Sequence, residues 1–268
     1  MKSALLKTMF ILAITYSPVT VAICQGARFS LSSYQGYIGD SYRAEMTLNS
    51  AGSSSADKIE GSYFYVSSLK DIKLTGEIID ETDIRLDELN AKGEVVAHFK
   101  GHFPEYDPDP QAHRPGQSFR PHFSGKLTCE VIVGIWQKVG SPQKLPFIFA
   151  SAGSVGGTPG HRYAVAGVSN DAKINRNAYR FWEAVKHKDK EMVASLINYP
   201  ITVELPAGRR RLLGARDLIA NYDDLFSVEY RKAILNAVPH NMFANSQGVM
   251  LGDGVAWFGV NGKIIALN

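Results

Sequence analysis

The spacing of apolar residues changes partway along the chain, and this change limits the fold more than any other feature. Between residues 58 and 150 apolar positions recur every second residue. Ile72 and Leu74 are followed by Gly76 and Ile78. Ile84 and Leu86 alternate with Asp83, Arg85 and Asp87, and Val95, Ala97 and Phe99 share one side. A period of two belongs to half-buried antiparallel strands. The aromatic run Gly61 to Val66, the stretch Gly125 to Trp136 and Leu145 to Phe149 extend the set. Short connections favour pairing in chain order. The pattern predicts about five or six strands curled into an antiparallel β-barrel or sandwich.

Residues 151–175 begin with Ser151-Ala152-Gly153-Ser154-Val155-Gly156-Gly157 and read as a linker. Beyond them the period becomes 3.6. Ala178, Phe181, Trp182, Val185, Met192, Val193, Leu196 and Ile197 form one stripe, hence an amphipathic helix. Tyr199-Pro200 stops it. A short strand is predicted over Ile201 to Leu205. Helices are predicted over Ala215 to Tyr222 and Val228 to Ala237, the latter capped by Ser227. Asn261-Gly262 marks a hairpin between Val255–Val260 and Lys263–Leu267. The fold class is therefore α+β: an N-terminal antiparallel barrel or sandwich over 58–150, and over 176–268 helices packed on a small antiparallel sheet. Residues 23–57, which end in the loop-like Asn49 to Ser55, read as an N-terminal arm.

Residues 1–22 read as an export signal. Lys2 and Lys7 flank an apolar core, Met9 to Ile14, and small residues near Thr20 to Ala22 offer a cleavage point. The core is too short to span a bilayer, so the mature chain is expected to have no transmembrane segment and to lie in the periplasm or be secreted. A lipid anchor on Cys24 is the weaker option, because Ile23 stands where the lipoprotein pattern wants a small residue. Of the 29 Lys and Arg, two belong to the leader, which leaves 27 against 26 acidic residues. This balance gives no electrostatic reason to bind nucleic acid. The one dense basic run, Arg209-Arg210-Arg211, reads as a solvated turn. In an oxidising compartment Cys24 and Cys129 are candidates for a disulfide bond that pins the arm to the barrel.

No recognised catalytic signature is present, so no catalytic residue is assigned. Among the seven histidines, His98, His102, His113 and His122 gather near a segment, 104–121, that is interrupted by Pro104, Pro108, Pro110, Pro115 and Pro121. Proline removes ladder donors, so this segment is predicted to be a rigid excursion over the barrel mouth. His98 and His102 lie about 13 Å apart at roughly 3.3 Å per residue, too far for one metal, so no metal or cofactor is assigned. The contact residues proposed are His113 and Arg114 on the excursion and His102 and His122 beside it, with Trp182 and Trp257 lining a concavity or filling the second core.

Three stretches carry a resemblance: Gly61-Ser62-Tyr63-Phe64-Tyr65, Ile72-Lys73-Leu74-Thr75-Gly76, and Gly134-Ile135-Trp136 before Leu145-Pro146-Phe147. Their rhythm is similar to a β-module of uncharacterised exported bacterial proteins, and the Gly-x-Trp pattern also looks like avidin- and lipocalin-type barrels. Residues Phe181 to Asn268 resemble an NTF2-like cone. Some NTF2-like proteins carry an Asp–His pair in the cone. Here His187 falls on a charged helix face and His240 follows Pro239 in a loop, so that pair is not carried over. The function expected is a non-catalytic binding or interaction protein, for instance an inhibitor or immunity-type partner of a cell-envelope protein. The alternative is an exported hydrolase with a His/acid site.

Overall fold

The computed structural model describes residues 32–50, 58–79, 83–103, 131–158 and 160–268. Eight antiparallel strands close into a barrel in chain order. They are β1 (Ser32–Ile38), β2 (Tyr42–Ser50), β3 (Lys58–Tyr65), β4 (Ile72–Ile78), β5 (Asp83–Leu89), β6 (Val95–His102), β7 (Val131–Lys138) and β8 (Lys144–Ser154). Closure comes from β1, which pairs with β2 on one side and with β8 on the other. No edge is left to aggregate. The alternation read from sequence sets the faces: Leu74, Leu86, Ala97 and Phe99 are buried inward, while Asp83, Arg85 and Lys100 point out.

The barrel interior is filled with side chains. Tyr63, Phe99, Phe147 and Phe149 run through it as a chain of ring contacts at 5.3, 5.2 and 5.9 Å. Met46, Leu48, Leu74 and Ile132 pack around them. Glycine is needed where strands bend into closure. A Cβ on Gly36 would lie 1.8 Å from the Ile148 carbonyl oxygen, and one on Gly134 would lie 2.1 Å from that of Lys100.

Two of the strands lie in the segment read as an arm. In Ser32–Ile38 and Tyr42–Ser50 the inward positions Tyr34, Ile38, Ala44, Met46 and Leu48 are buried, so these residues are barrel wall. The stretch read as linker is also largely structured. Ser151–Ser154 extend β8, and a 3-10 turn covers Ala164–Ala166. Helix α1 (Asp171–His187) begins with Asn170, whose side chain accepts from the Lys173 amide. The disulfide expectation is corrected. The structure describes no disulfide bond, and both Cys24 and Cys129 lie outside the described residues. Among the described residues, closure of the barrel is by hydrogen bonds between β1 and β8.

The second half has its own core. The stripe read as one helix is two. Lys188 takes a left-handed conformation (φ 57°) and ends α1, and Asp189 then caps α2 (Lys190–Ser195). A hairpin of β9 (Ile201–Leu205) and β10 (Gly208–Leu212) follows. Arg209, Arg210 and Arg211 thus belong to a strand, and Arg209 pairs with Glu204 at 2.8 Å. The remaining helices are α3 (Ala215–Ala220), α4 (Tyr222–Leu225) and α5 (Val228–Asn236). They precede a four-stranded sheet of β11 (Phe243–Asn245), β12 (Gly248–Leu251), β13 (Ala256–Phe258) and β14 (Ile264–Leu267). One sheet face, with Ala244, Val249, Phe258 and Ile264, packs on Phe181 and the rest of the helical core. Phe243, Met250, Trp257 and Ala266 form a cross-strand row on the other face. Among the described residues no helix is long and apolar enough to cross a membrane.

Candidate functional site

The outward face of β1, β2 and β3 is polar by alternation, and its residues fall in cross-strand rows. Ser33, Thr47 and Ser62 make one row; Gln35, Glu45 and Phe64 make the next. The second half of the chain docks on this face through three residues. Arg162 donates from Nη2 to Ser33 Oγ (2.7 Å), from Nη1 to Thr47 Oγ1 (3.0 Å) and from Nε to the Met242 carbonyl (3.1 Å). Its own backbone is fixed from behind, because Asp171 at the start of α1 accepts from the amides of Arg162 and Tyr163. The Tyr163 hydroxyl donates to Asn175 Oδ1 and accepts from the Met242 amide. Both backbone groups of Met242 are therefore engaged by neighbouring residues of one loop.

His240 and Asn241 make the other bridge. Asp71, just before β4, accepts from His240 Nε2 (3.0 Å) and from Asn241 Nδ2 (3.1 Å). A carboxylate only accepts, so this contact places the imidazole proton on Nε2. The ring stands edge-on to Phe64 at 4.6 Å, which fixes its plane. An Asp–His pair is thus present, but it joins the barrel to the C-terminal half and does not lie within a cone.

Arg162, His240, Asn241 and Thr47 line two open clefts, one on each side of the bridge, of about 690 and 710 Å3. These volumes suit small ligands. The first cleft has mixed chemistry. Gln35, Arg43, Glu45 and His240 provide polar groups, and Val238, Met242, Phe243, Met250 and Val255 provide an apolar wall. Charged residues on the wall of the second are Glu60, Asp71, Lys73 and Asp171.

Glu45 sets the first cleft apart. Its side chain is only 14% exposed, and its one ionic contact is Arg43 at 3.9 Å. Among the described residues no hydrogen bond reaches its carboxylate, and neither oxygen is sealed from the cleft. Burial pushes its pKa up. Arg43, Arg162 and His240 pull it down, and burial prevails. Arg162 is the converse case. Its hydrogen-bond acceptors are neutral oxygens, and burial lowers its pKa, although a guanidinium keeps its proton regardless. Glu45 is thus a partly desolvated carboxyl beside two guanidinium groups, one of them held by other acceptors.

Of the residues singled out from sequence, the structure describes His102, Trp182 and Trp257. His102 is exposed at the end of β6, opposite Asp83. His98 pairs with Asp87 at 2.6 Å on the outer barrel wall. His113, Arg114 and His122 lie outside the described residues, as does the excursion 104–121. Trp182 is a packing residue. Its Nε1 donates to the Leu235 carbonyl (3.2 Å), its ring stacks on Tyr179, and Lys186 lies 4.9 Å over it. Trp257 lies on the outer sheet face next to Met250, adjoining the first cleft without lining it. Glu45, Arg162, Asp71 and His240 were missed as a group. The first two fall in the segments read as arm and linker. The detectable signal was the alternation of Ala44, Met46 and Leu48 against Arg43, Glu45 and Thr47, which marks a strand with one polar face.

No protein-family model, curated protein or solved structure matches this chain.

Proposed function

We propose that this chain is an exported binding protein, periplasmic or secreted, which acts without catalysis and takes a small ligand in the cleft around Glu45. The observation that carries this reading is the Glu45 carboxyl, which lines the cleft with its side chain 14% exposed and with no hydrogen-bond donor among the described residues. A carboxyl that faces the cleft and has no donor of its own can accept a hydrogen bond from a ligand there. The leader sequence supports export. The cell-envelope protein partner, inhibitor or immunity-type, belongs to the same reading, but its contact segment 104–121 lies outside the described residues.

The test is native mass spectrometry of the purified full chain, with Ala233→Trp as the cleft-narrowing variant. Ala233 is an exposed residue of α5 at the cleft, so the change leaves the core alone. A bound small molecule on the wild type that is lost from the variant, with thermal unfolding unchanged, is the expected result. Equal retention by both removes the cleft from the reading. Cell fractionation tests the compartment: recovery of the unprocessed chain in the cytosol rejects export.

A second reading, an exported hydrolase, is favoured by one observation. Asp71 orients the His240 imidazole at the edge of the cleft that holds Glu45. It requires turnover of an ester or amide library that His240→Gln abolishes while ligand binding persists.

A further inference from the structure

The reading of the Glu45 cleft as a ligand site leaves open what kind of molecule it suits, and the charges around Glu45 decide this. The groups facing the carboxyl are Arg43 from its own strand, Arg162 from the loop after β8 and His240 from the loop after α5. All three are cationic or become so on protonation. Asp71 is held by His240 and Asn241 on the far side of the bridge. Asp253 is the other carboxylate at the cleft. A cationic ligand group at Glu45 would therefore meet two guanidinium groups. An anionic group would be drawn to them, and Arg162 keeps two of its five N–H groups beyond the three bonds it makes.

We infer that the cleft accepts an amphipathic carboxylic acid, with its carboxylate sharing a proton with Glu45 beside Arg43 and Arg162 and its apolar chain lying along Met242, Phe243, Met250 and Val255. Phe243, 48% exposed on the sheet edge, is the outer part of that apolar wall. The proton balance is simple. The Glu45 carboxyl keeps its proton and donates it as a hydrogen bond to the ligand oxygen; no bond is cleaved. A hydrogen bond between a carboxyl and a carboxylate is charge-assisted, and so shorter and stronger than one between neutral groups. The tendency of Glu45 to stay protonated, which burial causes, serves this pairing. Binding then weakens as pH rises, because ionised Glu45 repels the ligand.

The experiment uses the full chain with methyl-labelled methionine and three probes of one chain length: decanoate, 1-decanol and decylamine. Methyl shifts of Met242 and Met250 report on the cleft, and calorimetry reports affinity at pH 5.5 and 8.5. Decanoate is expected to bind about tenfold more tightly than decanol at pH 5.5, the worth of one charge-assisted hydrogen bond. It should lose about tenfold by pH 8.5. Glu45→Gln, a permanently neutral donor, should keep decanoate binding and flatten the pH dependence. A slope that survives in Glu45→Gln overturns the shared proton. Decylamine or decanol binding more tightly than decanoate, with the same methyl shifts, overturns the ligand class and leaves the cleft as a ligand site. No shift at Met242 or Met250 with any probe overturns both.

Discussion

Two half-buried glutamates of the barrel are in opposite states. Glu88 faces inward near the end of β5. Its Oε2 accepts from the Tyr63 hydroxyl at 2.7 Å and from Trp136 Nε1 at 3.1 Å. Glu45 faces outward beneath the C-terminal half, and no donor reaches it among the described residues. The same side chain is a closed polar plug in one region and an open group in the other. Partial burial is common to both acids; the accounting of donors is what separates them. The barrel interior meets that account, and the joint between the two halves leaves one acceptor open.

The largest effect expected follows from breaking the closed site. Glu88→Ala leaves the Tyr63 hydroxyl and the Trp136 indole without their acceptor in a packed interior. The expected loss is about 3 kcal/mol in urea unfolding. A loss below about 0.5 kcal/mol would mean that Glu88 does not hold the barrel end, and the contrast with Glu45 would lose one side.

Arg162→Met acts at the joint. It removes three hydrogen bonds, two of them to the barrel, but keeps the apolar stem. Because the acceptors are neutral and partly reachable by water, the expected cost is about 2 kcal/mol. A double-mutant cycle with Thr47→Val should return a coupling near ~1 kcal/mol. Zero coupling would show that the barrel and the C-terminal half do not depend on this contact.

Asp71→Asn is milder. The Asp71 side chain is 48% exposed, so its contacts with His240 and Asn241 are screened and worth about 0.5 kcal/mol. Its sharper readout is geometric. The neutral amide of this variant is a weaker acceptor for His240 Nε2 and Asn241 Nδ2, so ring-to-ring cross-peaks between His240 and Phe64 should weaken. Unchanged cross-peaks would show that Asp71 does not position His240 and remove the basis of the hydrolase reading.

How much of this was legible before the structure depends on the range of the contacts. The alternation of Ile84 and Leu86, or of Ala97 and Phe99, is local, and it marked the strands and their inward faces. Closure was less visible. β1 (SSYQGYI) has glycine at one of its three inward positions, and β2 runs into a Gly/Ser-rich stretch that masks its alternation. The break between α1 and α2 turns on the left-handed Lys188, a residue with no special preference for that conformation. The site is least legible. Arg162 is 115 residues from Thr47 and 129 from Ser33, and His240 is 169 from Asp71. Each is an ordinary polar residue in its own segment. Only barrel closure and the docking of the second half bring them together, and no spacing rule reaches that far.

The smallest effect expected is also the one that bears most directly on the contrast. Burial raises the Glu45 pKa above its value in the unfolded chain. The folded state therefore holds the Glu45 proton more tightly than the unfolded state does. By linkage, stability is full while both forms are protonated, below the ordinary carboxylate range, and falls as pH rises through the folded pKa. Glu45→Gln carries no such titration. The two proteins should unfold at the same urea concentration near pH ~4, and the variant should gain on the wild type steadily as pH rises, by about 1 kcal/mol or less at pH 8. A variant weaker than wild type across the whole range would show that donors hold Glu45 as they hold Glu88. The acid at the joint would then be one more structural plug, with no free valence for a ligand.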